Sequence, residues 1–140
     1  MTDLEKVRQW LLTYPRWGED CQLYVDYTNA APDNAGLYPA GLEEISRRED
    51  VLGNVTLYCR YHFVLHRLVT GQQDNGEHAR WLMAFQDWVQ RQSAQHLAPV
   101  FGDEPARERI RAEKGKLKEA SQTGTATYTV NLTAEFIKKY

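Results

Sequence analysis

The most regular pattern in the chain is an alternation. Val55, Leu57, Cys59, Tyr61, Phe63 and Leu65 occupy every second position, with Thr56, Tyr58, Arg60, His62, Val64 and His66 between them. A period of two sends successive side chains to opposite faces, so residues 54–69 predict a strand with one apolar face. At about 3.3 Å per residue it spans roughly 50 Å, far beyond the usual five or six residues. Such a strand either bends at a bulge or projects beyond the domain body as an arm. Residues 123–137, TGTATYTVNLTAEFI, repeat the pattern. Ala126, Tyr128, Val130, Leu132, Ala134 and Phe136 face one way; a threonine-rich face is left to solvent or a partner.

Two segments carry the helical period instead. Over 3–14, Leu4, Val7, Leu11 and Tyr14 share a face, with Asp3 as N-cap or as first-turn charge, and Pro15 and Gly18 stop the helix. Over 76–95, Trp81, Leu82, Phe85, Trp88 and Val89 form an aromatic stripe that must be a main piece of the core.

The remaining segments are weaker. Residues 22–28 alternate as a strand, and 29–41, rich in Asn, Pro, Gly and Ala, read as a loop with a short extended piece at Leu37–Tyr38. Residues 42–49 are a weak strand with Ile45 as its one strong β-former, and Asp50–Asn54 is a turn. Residues 70–76 are a polar turn and 97–106 a loop. Residues 107–119 alternate poorly, with Gly115 as a bulge. The order α, β, β, β, α, β, β predicts an α+β two-layer domain over 1–140. Its sheet is mostly antiparallel or mixed, of four to five strands, with two main helices packed on one face.

Composition changes this picture by exclusion. Hydrophobic residues make up 42% and charged residues 26%, an ordinary globular mix. A net charge of −2 and a pI near 6.1 argue against a dedicated nucleic-acid binder. No apolar run reaches membrane-span length, and MTDLEKVRQW lacks signal-peptide character. Cys21 and Cys59 lie 38 positions apart with no CxxC spacing, which fits a reduced, cytosolic protein.

Candidate chemistry is sparse. His62 and His66 share a strand face but lie about 13 Å apart, too far to ligate one zinc at about 2.0–2.1 Å. His78 and His96 fall at opposite ends of the second helix. Cys59 sits on an apolar face, a small buried hydrophobe; Cys21 follows Glu19–Asp20, which disfavours a thiolate. The three serines, Ser46, Ser93 and Ser121, lie in no GxSxG turn, and Gly115–Lys116 is not a phosphate loop. The acid pairs Glu19–Asp20, Glu43–Glu44, Glu49–Asp50 and Asp103–Glu104 fall in or beside turns and weak elements, where solvated acids are expected. The residue types that carry catalysis do not converge. The expectation is a non-enzymatic protein with no cofactor and no metal.

A basic stretch stands out more. Arg107, Arg109, Arg111, Lys114, Lys116 and Lys118 crowd into 12 residues, with Arg47 and Arg48 on another predicted strand. Read blandly, this is a charge-guarded sheet edge. Read functionally, it faces a polyelectrolyte or a subunit, and interleaved Glu108, Glu113 and Glu119 favour subunit salt bridges over phosphate tracking. With Thr127 and Thr129 these residues form the candidate subunit or lumen interface.

Taken in order, the segments LEKVRQWLLTYP, LYVDYT, GLYP, EISRREDVLGN, YCRYHFVLHRLV, ARWLMAFQDWVQRQ, LAPVFGDEPARERIRAEKGKLKEAS and LTAEFIKKY cover nearly the whole chain. This order resembles the tail terminator proteins of long-tailed bacteriophages and prophages, often labelled minor capsid or tail completion proteins. The resemblance implies a sheet with helices on one face and no catalytic residues. It implies self-assembly into a ring, usually a hexamer, from subunits that in some cases stay monomeric until they meet the tube. The ring caps the tail tube, stops its polymerisation and presents a surface to the head connector. DNA passes through the lumen without sequence-specific binding, no membrane is involved, and the location is the virion's head–tail junction, assembled in the host cytoplasm. The alternatives are a head-completion or connector protein, or a small α+β nucleic-acid- or ligand-binding domain.

Overall fold

The structure, a computed structural model, describes residues 2–17, 21–26, 34–70, 77–120 and 125–140. Its elements are α1 (Asp3–Leu11), β1 (Leu23–Val25), β2 (Ala35–Glu49), β3 (Val55–Thr70), α2 (Glu77–Ala94), a 3₁₀ turn (Pro105–Arg107), β4 (Arg109–Ala120) and β5 (Thr125–Lys139). The strands form one sheet in the order β1-β2-β3-β5-β4. β1 runs parallel to β2 and all other pairs are antiparallel. The α+β class and mixed, mostly antiparallel five-stranded sheet are as the periodicities predict.

The N-cap of α1 is Thr2 rather than Asp3, and it forms a capping box. Glu5 N donates to Thr2 Oγ1 (3.2 Å) and Thr2 N donates to Glu5 Oε2 (3.3 Å), so two otherwise unpaired amides are satisfied. Asp3 supplies first-turn charge instead. The helix ends at Leu11, three residues before its period does. Tyr14 still packs inward because a turn, Tyr14 N to Leu11 O (3.1 Å), carries it there. Aromatic rings then join the helices. Trp10 stacks on Trp88 with centroids 5.0 Å apart, Trp81 stacks on Phe85 at 5.3 Å, and Tyr14 meets both Trp81 and Phe85 edge-on.

The register between β3 and β5 is unbroken from Thr56↔Lys139 to Thr70↔Thr125. Their matched alternation places Phe63, Leu65, Val130 and Leu132 in one core with Phe85 and Val89 of α2. The bulges and irregularities fall on the flanking strands, between Pro39 and Gly41 and between Glu44 and Ser46 in β2, and between Glu113 and Lys116 and between Leu117 and Glu119 in β4. Of the two options for the long strand, it projects and its neighbours bend. Gly115 lies in the β4 bulge as predicted. A Cβ there would collide with Oε1 of Gln86, whose Nε2 donates to Ala112 O (3.3 Å) and ties α2 to β4.

Three readings need correction. Residues 35–41 are strand rather than loop. Pro39 is tolerated because the last β1 pair, Val25↔Leu37, lies just before it and, among the described residues, no further ladder needs its missing N–H. Within the predicted strand 22–28 the described strand is Leu23–Val25, followed by Asp26 at φ 55°; residues 27–33, 71–76 and 121–124 of the predicted strand ends, loop and turns lie outside the described residues. The threonine face of β5 is not open throughout, since Thr129 and Thr133 are buried. Thr129 stands in register between His66 and Lys116, and Thr133 between His62 and Arg111, so longer side chains on β3 and β4 flank the short ones on β5.

Candidate functional site

Length decides what the helices can cover. At 1.5 Å per residue the 18 residues of α2 reach about 27 Å; the 16 residues of β3 reach about 53 Å. One end of the sheet must therefore run past its cover. That end is made of β2, β3 and β5, and residues 39–54 are exposed throughout.

The turn at its tip is well determined. Asp50 Oδ1 accepts from Leu52 N and Asn54 N (2.9 Å each), and Asn54 Nδ2 donates to Asp50 Oδ2 (3.0 Å). Those hydrogen bonds, that from the Asn54 side chain first, hold the Asp50 carboxyl below its usual range. Gly53 takes φ 85°, which a residue with a Cβ resists. The turn carries two aliphatic side chains, Val51 at 102% exposure and Leu52 at 84%.

Behind the tip the apolar face of the sheet emerges from under α1 as a groove of about 220 Å³. Leu57, Cys59, Tyr61 and Phe136 line it with Leu42 and Tyr140, and Asp3, Glu44 and Lys138 stand around them. Tyr61 stacks on Phe63 (4.5 Å), so the groove is continuous with the core. Burial pushes the Cys59 thiol up, in keeping with a small hydrophobe. Singly exposed aliphatics are ordinary. Leu42, Ile45, Val51, Leu52 and Tyr140 are all exposed at one end of the sheet, and Leu42 and Tyr140 share the groove.

The basic residues chosen from sequence are not one patch. Arg47 and Arg48 lie on β2, separated from β4 by β3 and β5. Arg107 sits in the 3₁₀ turn and pairs with Glu104 (3.0 Å), which also takes Lys139 (2.7 Å). Arg111 donates to Glu113 (2.7 Å) and Glu135 (2.8 Å), and Glu135 also accepts from Arg60 (3.1 Å). Burial opposes ionisation of Glu135, but the Arg111 and Arg60 hydrogen bonds outweigh it and hold the carboxyl low. Arg109, Lys114, Lys116 and Lys118 are exposed along β4, whose outer edge carries no further strand among the described residues. Thr127 is half-buried and Thr129 is buried.

The histidines are dispersed. His62 Nε2 lies 3.0 Å from Glu43 Oε2, and its Nδ1 lies 3.4 Å from Thr133 Oγ1. The His66 ring packs on Tyr38 (4.7 Å), and burial followed by Lys118 lowers its pKa. Among the described residues no three His, Cys, Asp or Glu side chains are grouped to hold a metal. A cavity of about 280 Å³ at the end of α2 includes Ser93, His96, Phe101 and Glu108. Its one acid is committed, since Glu108 accepts from Phe101 N (2.7 Å) and Gly102 N (3.0 Å).

Comparison with family models and with curated protein sequences finds no match. No helix among the described residues is long and apolar enough to cross a membrane.

Sequence reasoning chose charges and missed the groove and tip. A signal was present: DVLGN sets two aliphatics inside a turn, where Gly, Pro, Asn, Asp and Ser normally dominate.

Proposed function

We propose that this protein is a non-enzymatic assembly subunit that binds copies of itself and a neighbouring structure. The observation that carries this reading is the uncovered end of the sheet, an ordered apolar tip beside an apolar groove. Burying such surface is favourable by about 25 cal/mol per Å², and a tip already fixed by its turn loses little conformational freedom on docking. Tip and groove are different patches, as a head-to-tail contact requires, and such contacts close into rings when the rotation allows. The edge of β4 is guarded by Arg109, Lys116 and Lys118 and by its bulge, which favours the uncovered β2–β3 end of the sheet as the place to assemble.

The resemblance of the segment order to tail terminators supplies the specific form of the proposal. The subunit caps a phage tail tube, halts its growth and contributes to the head–tail junction. Arg109, Lys114, Lys116 and Lys118 are then candidates for the lumen or for subunit ion pairs, with DNA passing and no base read. Electron micrographs of tails from the virus that carries the gene test this. With the gene deleted, tubes of uncontrolled length without heads are expected; tubes of normal length joined to heads would overturn it.

A further inference from the structure

Both helices pack on the side of the sheet that holds Phe63 and Leu65. Among the described residues no helix lies on the other side, where Arg60, His62 and His66 stand. The charge of that face is lopsided when every group is counted, paired or not. β4 brings five bases against Glu113 and Glu119, and Arg60 on β3 adds one base. Arg48 and Glu43 on β2 cancel, as do Lys139 and Glu135 on β5. The loop before β4 takes one away, with Asp103 and Glu104 against Arg107. The face keeps a formal +3 on a chain of −2. Its acids already touch basic side chains: Glu113 meets Arg111, Glu135 meets Arg60 and Arg111, and Glu43 meets His62. Arg109, Lys114, Lys116 and Lys118 make no ion pair among the described residues.

Geometry sorts these groups into two rails. Along β4 the bases recur at about every second residue, roughly 7 Å apart. On the far side of β5, about 10 Å away, stand rings, that of His62 and that of His66 packed on Tyr38 (4.7 Å). Between the rails a recess of about 300 Å³ opens beside Asn131, with His62 on one wall and Arg111 and Lys114 on the other. The Asn131 amide offers donors and an acceptor together, the pairing that a nucleobase edge presents. We infer that this face binds a single strand of nucleic acid, its phosphates along the β4 bases, one base in the Asn131 recess and its neighbours against the His62 and His66–Tyr38 rings. An acidic peptide would use the bases and leave the rings and the amide idle. A duplex, whose major groove alone is about 12 Å wide, is too broad to enter between the rails. The inference stands apart from the capping proposal, which needs no bound strand.

Fluorescence anisotropy with a labelled single-stranded DNA of about 12 nucleotides tests it. The wild type should bind at low salt, and the logarithm of its affinity should fall against that of salt with a slope of about −3, about −0.7 for each of the unpaired bases Arg109, Lys114, Lys116 and Lys118. K116E/K118E, at two exposed positions, should weaken binding about tenfold or more and flatten the slope by about 1.4. His66→Ala and Asn131→Ala should each weaken it about fivefold or more and leave the slope unchanged. A solvated sheet edge with no ligand predicts no binding by the wild type, and that result would overturn the inference. So would equal affinity for the duplex of the same sequence, equal competition by polyglutamate of the same charge, a K116E/K118E variant that binds as the wild type does, or ring and amide variants that both keep wild-type affinity.

Discussion

At one end of β3, Phe63 and Leu65 share a sealed core with α2; at the other, Leu57 and Tyr61 continue the same alternation into an open groove. Alternation therefore reports which face of a strand is apolar. Whether that face is covered depends on how far the helices reach, and here about 27 Å of α2 meets about 53 Å of strand. The two ends are chemically alike and differ in what has been laid over them. The covered end supplies stability and the bare end is available for partners.

The sharpest check uses two leucines of one strand. Leu65→Ala, at 1% exposure, should cost about 2–5 kcal/mol. Leu57→Ala, partly buried on the same face, should cost about 1 kcal/mol or less, because little cavity is left behind. Urea unfolding of both variants decides this, and equal losses would break the comparison. Next comes Gly102→Ala. The loop before β4 continues the edge of β5 where β4 has not begun, with Asp103 N donating to Ile137 O (2.7 Å) and Lys139 N to Asp103 Oδ2 (2.7 Å). A Cβ at Gly102 strikes the Ile137 carbonyl, so a loss of about 1–3 kcal/mol is expected, with amide exchange faster around Ile137 and Lys139.

A smaller effect is expected on the uncovered face. Glu135→Gln should cost about 1 kcal/mol, since Arg60 and Arg111 keep access to water. Its pH dependence has a fixed sign. The folded pKa of Glu135 lies below its ordinary value of 4.5, so its contribution is full above that value and is lost as pH falls through the folded one. The variant's unfolding midpoint should change less than the wild type's across that acid range. Least affected should be V51S/L52S, within about 0.5 kcal/mol of wild type in chain stability; a larger loss would mean that the tip is part of the fold.

The elements that were legible are those whose pattern is internal to one segment. β3, β5 and the stripe of α2 each turn toward the core the face that their own period marks, and Gly115 announced its bulge. What stayed hidden depends on neighbours distant in sequence. Residues 35–41 looked like a loop because Pro39 and Gly41 are poor strand residues, and they are strand because β3 supplies a partner on one side. Thr129 looked exposed and is buried by the side chains that flank it. The Arg47–Arg48 and Arg107–Lys118 stretches looked like one surface until strand order separated them. The groove had no signature at all, since nothing in Leu57 or Phe136 records where α1 starts.

The uninterrupted β3–β5 ladder also has a mechanical consequence. A pull on the tip loads its cross-strand bonds side by side, in shear, all the way to the packed interior, whereas β2 is interrupted at two irregularities and should yield there first. The molecule should thus be stiff along one axis and compliant along its flank.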